Sequence, residues 1–153
     1  MKTERRHPVL ARLDALVGRW TVQPKVEGVG TAWTEFAWQD GGMFLHQYAD
    51  ADPAPSTAPQ AWRDHAPFPT TAVIGLDDAT EELTMLYADA RGVHRVYRMT
   101  FADGEWTIWR DAPAFNQRFT ATVRDDTIDG RWEMSEDGVT WRLDFELTYV
   151  RDR

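Results

Sequence analysis

The spacing of apolar residues changes once along this chain. Across residues 8–17, Val9, Leu10, Leu13, Leu16 and Val17 recur at helical spacing, which predicts one amphipathic helix over 7–17. Pro8 suits its first turn and Gly18 the position just past its end. Beyond Gly18 the period falls to two. Alternation predicts strands at 19–26, 31–39, 43–49, 70–76, 82–87, 93–101, 106–110, 115–123, 128–135 and 141–149. Turn chemistry separates them: Gly28 and Gly30, Asp40-Gly41-Gly42, the polar stretch 77–81, 88–92, Asp103-Gly104, 111–114 with Pro113, Asp125-Asp126 and Asp137-Gly138. Gly130 inside a strand pattern predicts a bulge or sharp bend.

About ten short strands with a turn signal roughly every ten residues read as an all-β sandwich or barrel. Sequential hairpins favour an antiparallel up-and-down barrel, whose closure removes exposed edges. The helix, apolar on one face, is expected to close one end. One interval breaks the rhythm. Residues 52–69 carry Pro53, Pro55, Pro59, Pro67 and Pro69 with Trp62, Asp64, His65 and Phe68. Proline cannot donate to a ladder, so this is a loop, long enough to serve as a lid. Trp62 and Phe68 imply that part of it packs. No second domain or internal repeat is visible, so residues 1–153 are expected to form one domain.

Composition narrows the partners. The net charge of −8 disfavours nucleic acid and anionic membrane surfaces, which need a basic face. There is no cysteine, which excludes disulfides and thiolate chemistry. No segment is long and apolar enough to span a bilayer, and Arg12 and Asp14 interrupt any secretory h-region. A cytoplasmic location is expected. Eight tryptophans and seven phenylalanines suit either a packed aromatic core or an aromatic-lined pocket.

A helix followed by Gly18-Arg19-Trp20 resembles the start of the calycin barrels: lipocalins, fatty-acid-binding proteins and nitrobindin-like haem barrels. The tryptophan of that element plugs the barrel base. The runs DARGVHRVY, WRDAPAFNQRF and GRWEMSEDG look like a family of small bacterial calycin-like proteins to which no reaction is assigned. The resemblance spans nearly the whole chain and implies a barrel with a cavity. Two departures limit it. Nitrobindin-like barrels hold haem through a late histidine, and no histidine follows His94. Fatty-acid-binding proteins clamp a carboxylate with Arg-x-Tyr in their last strand. Here Arg95-Val96-Tyr97 lies in a middle strand, and the last strand has Tyr149-Val150-Arg151.

Candidate chemistry follows from the alternation. Arg95, Tyr97, Met99 and Phe101 share a face, which reads as inward. Arg110 shares a face with Trp106 and Ile108, and Gln117 with Phe115 and Phe119. An inward arginine must meet a carboxylate or a ligand anion. Two readings stay open. Arg95, Tyr97, Arg110 and Gln117 form the polar end of a ligand cavity, joined by Tyr87, Trp106 and Phe115. Alternatively, Arg95 or Arg110 pairs with Asp89 or Asp111 and the space holds only water. His46 and Tyr48 share a face with Phe44 and are expected to join the site. Trp33, Leu45 and Trp109 are expected outward, available to a second copy in a homodimer. Arg118 is read as a surface residue.

The preferred function is binding of a small, largely apolar molecule with a polar or anionic head group, without a cofactor. The alternative is an acid-base enzyme of isomerase or cyclase type, with Tyr97, Tyr48 or His46 as proton carriers and Arg95 lowering the tyrosine pKa. Haem binding through His46 or His65 is the third. The four histidines have no metal-binding spacing, and no nucleophile elbow or phosphate loop is present.

Overall fold

Period-two alternation becomes ten strands: β1 (Gly18–Pro24), β2 (Ala32–Gln39), β3 (Phe44–Ala51), β4 (Thr70–Leu76), β5 (Leu83–Asp89), β6 (His94–Ala102), β7 (Glu105–Arg110), β8 (Asn116–Arg124), β9 (Thr127–Ser135) and β10 (Arg142–Arg151). The structure is a computed structural model and describes residues 6–39 and 41–153; Asp40, in the expected turn, lies outside them. Every strand pairs antiparallel with its neighbours in sequence, and β10 returns to β1 through Trp20↔Arg151 to Pro24↔Leu147. The barrel is therefore closed and up-and-down, as the alternation predicts.

The N-terminal segment is shorter and tighter than one regular α-helix. A single α-helical turn, α1 (Pro8–Ala11), runs into a 3₁₀ helix, Arg12–Leu16. Three residues per turn keep Leu10, Leu13 and Leu16 on one face, and Leu13 and Leu16 are fully buried. They cap the end where β1 begins. Trp20 follows, buried, and its indole N–H donates to the Leu16 carbonyl at 2.9 Å. Arg151 lies over the Trp20 ring at 4.1 Å and donates to Asp126 and to the carbonyls of Ala15, Val17 and Asp125. Gly18, at φ +125°, leaves room for that guanidinium: a Cβ there would sit 2.9 Å from it.

Three expectations are corrected. First, the faces of β3 are reversed. Leu45 is fully buried, paired across to Ile74, and Ala49 is buried, whereas Tyr48 is exposed and His46 half-buried on the outer face. Both faces of β3 carry apolar residues, so period alone does not choose. Packing against Ile74 and the buried Phe36 does, and Leu45 leaves the outward apolar set. Second, Gly130 sits in regular register with Ala121 and Leu147. Its missing side chain serves packing instead: a Cβ there would lie 2.6 Å from the Phe119 ring. The register shift falls in β10 between Leu143 and Phe145, turning Leu143 outward opposite Glu133. Third, the proline-rich loop contains a helical turn, α2 (Gln60–Asp64).

Candidate functional site

The two ends of the barrel differ in filling. At the helix-capped end, Trp20, Phe36, Ile74, Met99, Phe101, Trp106, Phe119, Ile128 and Tyr149 are all buried. Their rings interlock: Trp106 meets Phe119 at 5.0 Å, Phe36 at 5.9 Å and Tyr149 at 6.4 Å. This half is a floor. At the other end the inward residues Tyr87, Arg95, Arg110, Trp132, Met134, Phe145 and Gln47 are half-buried, while Tyr97, Gln117, Thr34, Ala49 and Ala72 among them are buried. Solvent reaches the first set, so this end is closed less tightly than the floor. Across from its aromatic wall, β2, β3 and β4 present small residues: Ala32, Thr34, Ala49, Ala51, Thr70 and Ala72.

Arg95 and Tyr97 stand two apart on β6 and so share the inner face. Gln117, on β8, meets both. Its Oε1 accepts the Tyr97 hydroxyl at 2.9 Å and Arg95 Nη1 at 3.4 Å. These bonds fix the amide, and its Nε2 makes no hydrogen bond to a described residue. Arg110, at the end of β7 opposite Gln117, completes the group. Among the described residues, no carboxylate lies within ion-pairing distance of Arg95 or Arg110. The closed network with Asp89 or Asp111 does not form. Asp89 is occupied by Arg91 at 2.7 Å and by the Tyr87 hydroxyl at 2.8 Å. Burial works to raise the Asp89 pKa, but the hydrogen bonds from Arg91 and Tyr87 outweigh it and hold the carboxyl at about 2.

Both tyrosine hydroxyls are thus committed to protein acceptors. Burial raises the Tyr97 pKa, and the opposing pull of Arg95, Arg110 and Arg91 is smaller. The expected net lowering by Arg95 is corrected: desolvation wins. Tyr87 is raised by burial and by its bond to Asp89.

The remaining candidates are scattered. Trp106 belongs to the floor, beneath the polar group. Phe115 precedes β8 at the rim, with the Arg95 guanidinium 5.3 Å from its ring centroid. His46 bonds Thr71 on the outer face at 2.6 Å, and Tyr48 stacks on Trp33 outside the barrel. Neither faces the barrel interior, and His46 cannot ligate a haem inside it. His65 caps the exposed end of α2. Arg118 lies on the outer face, paired with Glu133 at 3.0 Å.

Sequence reasoning missed Arg91, Trp132, Gln47 and the alanine wall. The alternate-position alanines of 49–51 and 32 were the available signal for the wall. Arg91 was hidden in a turn. Residues 52–69 lie at this end, opposite the helix. Trp62 of α2 packs edge-on against Phe145 at 4.9 Å. Thr57 donates to the Gly28 carbonyl, and the Ala90 amide donates to Pro67 and Pro69. No protein-family model matches the chain, and no curated protein matches it by sequence.

Proposed function

We propose that this is a calycin-like barrel that binds a small amphipathic molecule, apolar in body and anionic at one end, at the barrel end opposite the helix. One observation carries the reading: Arg95 and Arg110 point inward without a carboxylate, while Arg91, Arg118 and Arg151 each have one. A half-buried guanidinium with no carboxylate partner gains from meeting an anion, and a ligand carboxylate would supply one through charge-assisted bonds. The unspent groups at that end, Arg95, Arg110 and the Gln117 amide, are all donors, which suits an acceptor-rich head group. The committed hydroxyls of Tyr87 and Tyr97 favour binding over acid-base catalysis. Residues 52–69 act as the cover, with Trp62 against Phe145. The calycin assignment rests on the barrel, the capping helix and the Gly18-Arg19-Trp20 element at the base.

The test is native mass spectrometry of the full chain purified from its own host, before and after denaturing extraction. A discrete acidic molecule is expected on the wild type and its loss from Arg95→Met. Losing one charge-assisted bond weakens binding about tenfold to a hundredfold. A molecule retained equally by Arg95→Met overturns the assignment of the head-group site. A bare wild-type mass supports a water-filled polar network instead.

A further inference from the structure

The outer surface of the barrel carries charge on nearly every strand, and it has one uncharged face. Among the described residues, β4 and β5 are the strands whose outward positions hold no aspartate, glutamate, lysine or arginine: Thr71, Val73 and Gly75 on β4, Thr84, Leu86 and Ala88 on β5. Phe44, His46 and Tyr48 of β3 extend the face. Cross-strand register makes it continuous. His46 stands opposite Val73, Val73 opposite Leu86, and Leu86 opposite Val96 of β6, so four side chains run side by side across roughly 14 Å of sheet. The polar members satisfy each other, His46 bonding Thr71 at 2.6 Å. Outward tryptophans elsewhere are covered by their own chain: Arg19 lies 4.0 Å over Trp33, Arg98 5.1 Å over Trp109 and Arg118 4.2 Å over Trp141. The aliphatic stripe stays open to solvent, with Leu86 44% exposed and Val96 55%.

We propose that this face is the interface of a homodimer, in which two copies meet about a two-fold axis running along β4. The face fits its own reverse. Glu35, Tyr48, Thr71, Ala88 and His94 lie in register across β2 to β6, and so do Ala37, His46, Val73, Leu86 and Val96. A two-fold axis along β4 turns each row end for end onto its copy. Thr71 and Val73 then meet themselves, Tyr48 meets Ala88, and Val96 meets Ala37, large against small. At the ends of the first row the Glu35 carboxylate meets the His94 imidazole, an acceptor against a donor. Among the described residues neither has an ion-pair partner in its own chain. The face measures roughly 20 Å by 15 Å, well under the ~800 Å² that each partner of a standard interface contributes. Two chains of net charge −8 also repel each other. The dimer is therefore weak, with a Kd of about 10–100 µM, and it tightens as salt screens the repulsion.

Sedimentation velocity of the full chain, from about 5 µM to about 500 µM, brackets that Kd. A concentration-dependent monomer–dimer equilibrium is expected, tighter at high salt. Leu86→Glu and Val96→Glu, both at exposed positions, are each expected to raise the Kd at least about tenfold. Val150→Glu adds the same charge at a 51% exposed position on β10, outside the face, and is expected to leave the Kd unchanged. Glu35→Lys is expected to weaken the dimer, and Glu35→Lys combined with His94→Glu to restore it, because the pair is exchanged across the axis. A wild type that stays monomeric throughout overturns the second copy as the occupant of this face. A dimer that survives both Leu86→Glu and Val96→Glu, or that Val150→Glu abolishes, lies elsewhere on the barrel and overturns the face. A dimer lost in both of those variants but indifferent to Glu35→Lys overturns the axis along β4.

Discussion

Arg151 and Arg95 are both inward arginines of one barrel, at opposite ends. Arg151 closes the base. It lies on the Trp20 ring, pairs with Asp126 at 3.1 Å and donates to the carbonyls of Val17, Ala15 and Asp125. Arg95 points into the other end and has one long bond, 3.4 Å to Gln117, with the Phe115 ring centroid 5.3 Å from its guanidinium. The same contrast separates their neighbourhoods. Around Arg151 the buried Trp20 ring, the Asp126 carboxylate and three backbone carbonyls take up its face and its donors. Around Arg95, Tyr97 and Gln117 are buried while Tyr87, Arg110 and Phe115 are reached by solvent. A saturated arginine locks a structure together. An arginine with donors to spare does not, and that is the property the proposed binding role requires.

The largest test of this contrast is truncation of matched aromatics. Phe119→Ala is expected to destabilise by about 3–5 kcal/mol, since it opens a cavity beneath a ring that touches Trp106, Trp132 and Gly130. Phe145→Ala, at the half-buried mouth, is expected to cost under about 2 kcal/mol, because less of its surface is removed from water. Equal losses by urea unfolding would mean that the mouth is packed as tightly as the base. Next comes the arginine pair. Arg151→Met is expected to cost about 2–3 kcal/mol, leaving Asp126 and several carbonyls short of a partner. Arg95→Met is expected to change stability by less than about 0.5 kcal/mol. A large loss at Arg95 would make it a structural residue and remove the basis of the binding proposal.

The architecture was legible because its signals were redundant. Nine of the strand joints carry glycine, proline or aspartate turns, or the proline-rich stretch, and β6 alternates Arg95, Tyr97, Met99, Phe101 without interruption. The polar end was legible for the same reason: Arg95, Tyr97, Arg110 and Gln117 sit on faces whose other members are plainly core. Legibility failed where both faces of a strand are apolar. On β3, Phe44 and Tyr48 compete with Leu45 and Ala49, and only the cross-strand partner Ile74 decides. It failed again where one residue is inserted. The bulge before Phe145 moves Leu143 outward, a change that strict alternation cannot contain. The partner of Asp89 was hidden because Arg91 follows it across a turn, while the sequence offered the better-placed Arg95. The alanine wall was missed because small residues leave no pattern of bulk.

The last test concerns that partner, Arg91, and asks whether it and Tyr87 hold Asp89 ionised. Asp89 has an ordinary pKa of 3.8 and is held at about 2 in the folded chain. A carboxyl with a depressed folded pKa stabilises above its unfolded value and loses that stabilisation as pH falls through its folded value. Asp89 therefore contributes fully above pH 3.8, and its contribution drains away between 3.8 and about 2. Urea midpoints of wild type and Asp89→Asn are expected to differ near neutral pH by about 1–2 kcal/mol and to converge across that acid window. The comparison with Asp89→Asn removes the background of other carboxylates protonating together. A constant gap down to pH 2 would mean that Arg91 and Tyr87 do not hold Asp89 in its ionised form. Convergence would show Arg91 committed to Asp89, in contrast to Arg95 and Arg110, which have no carboxylate partner among the described residues.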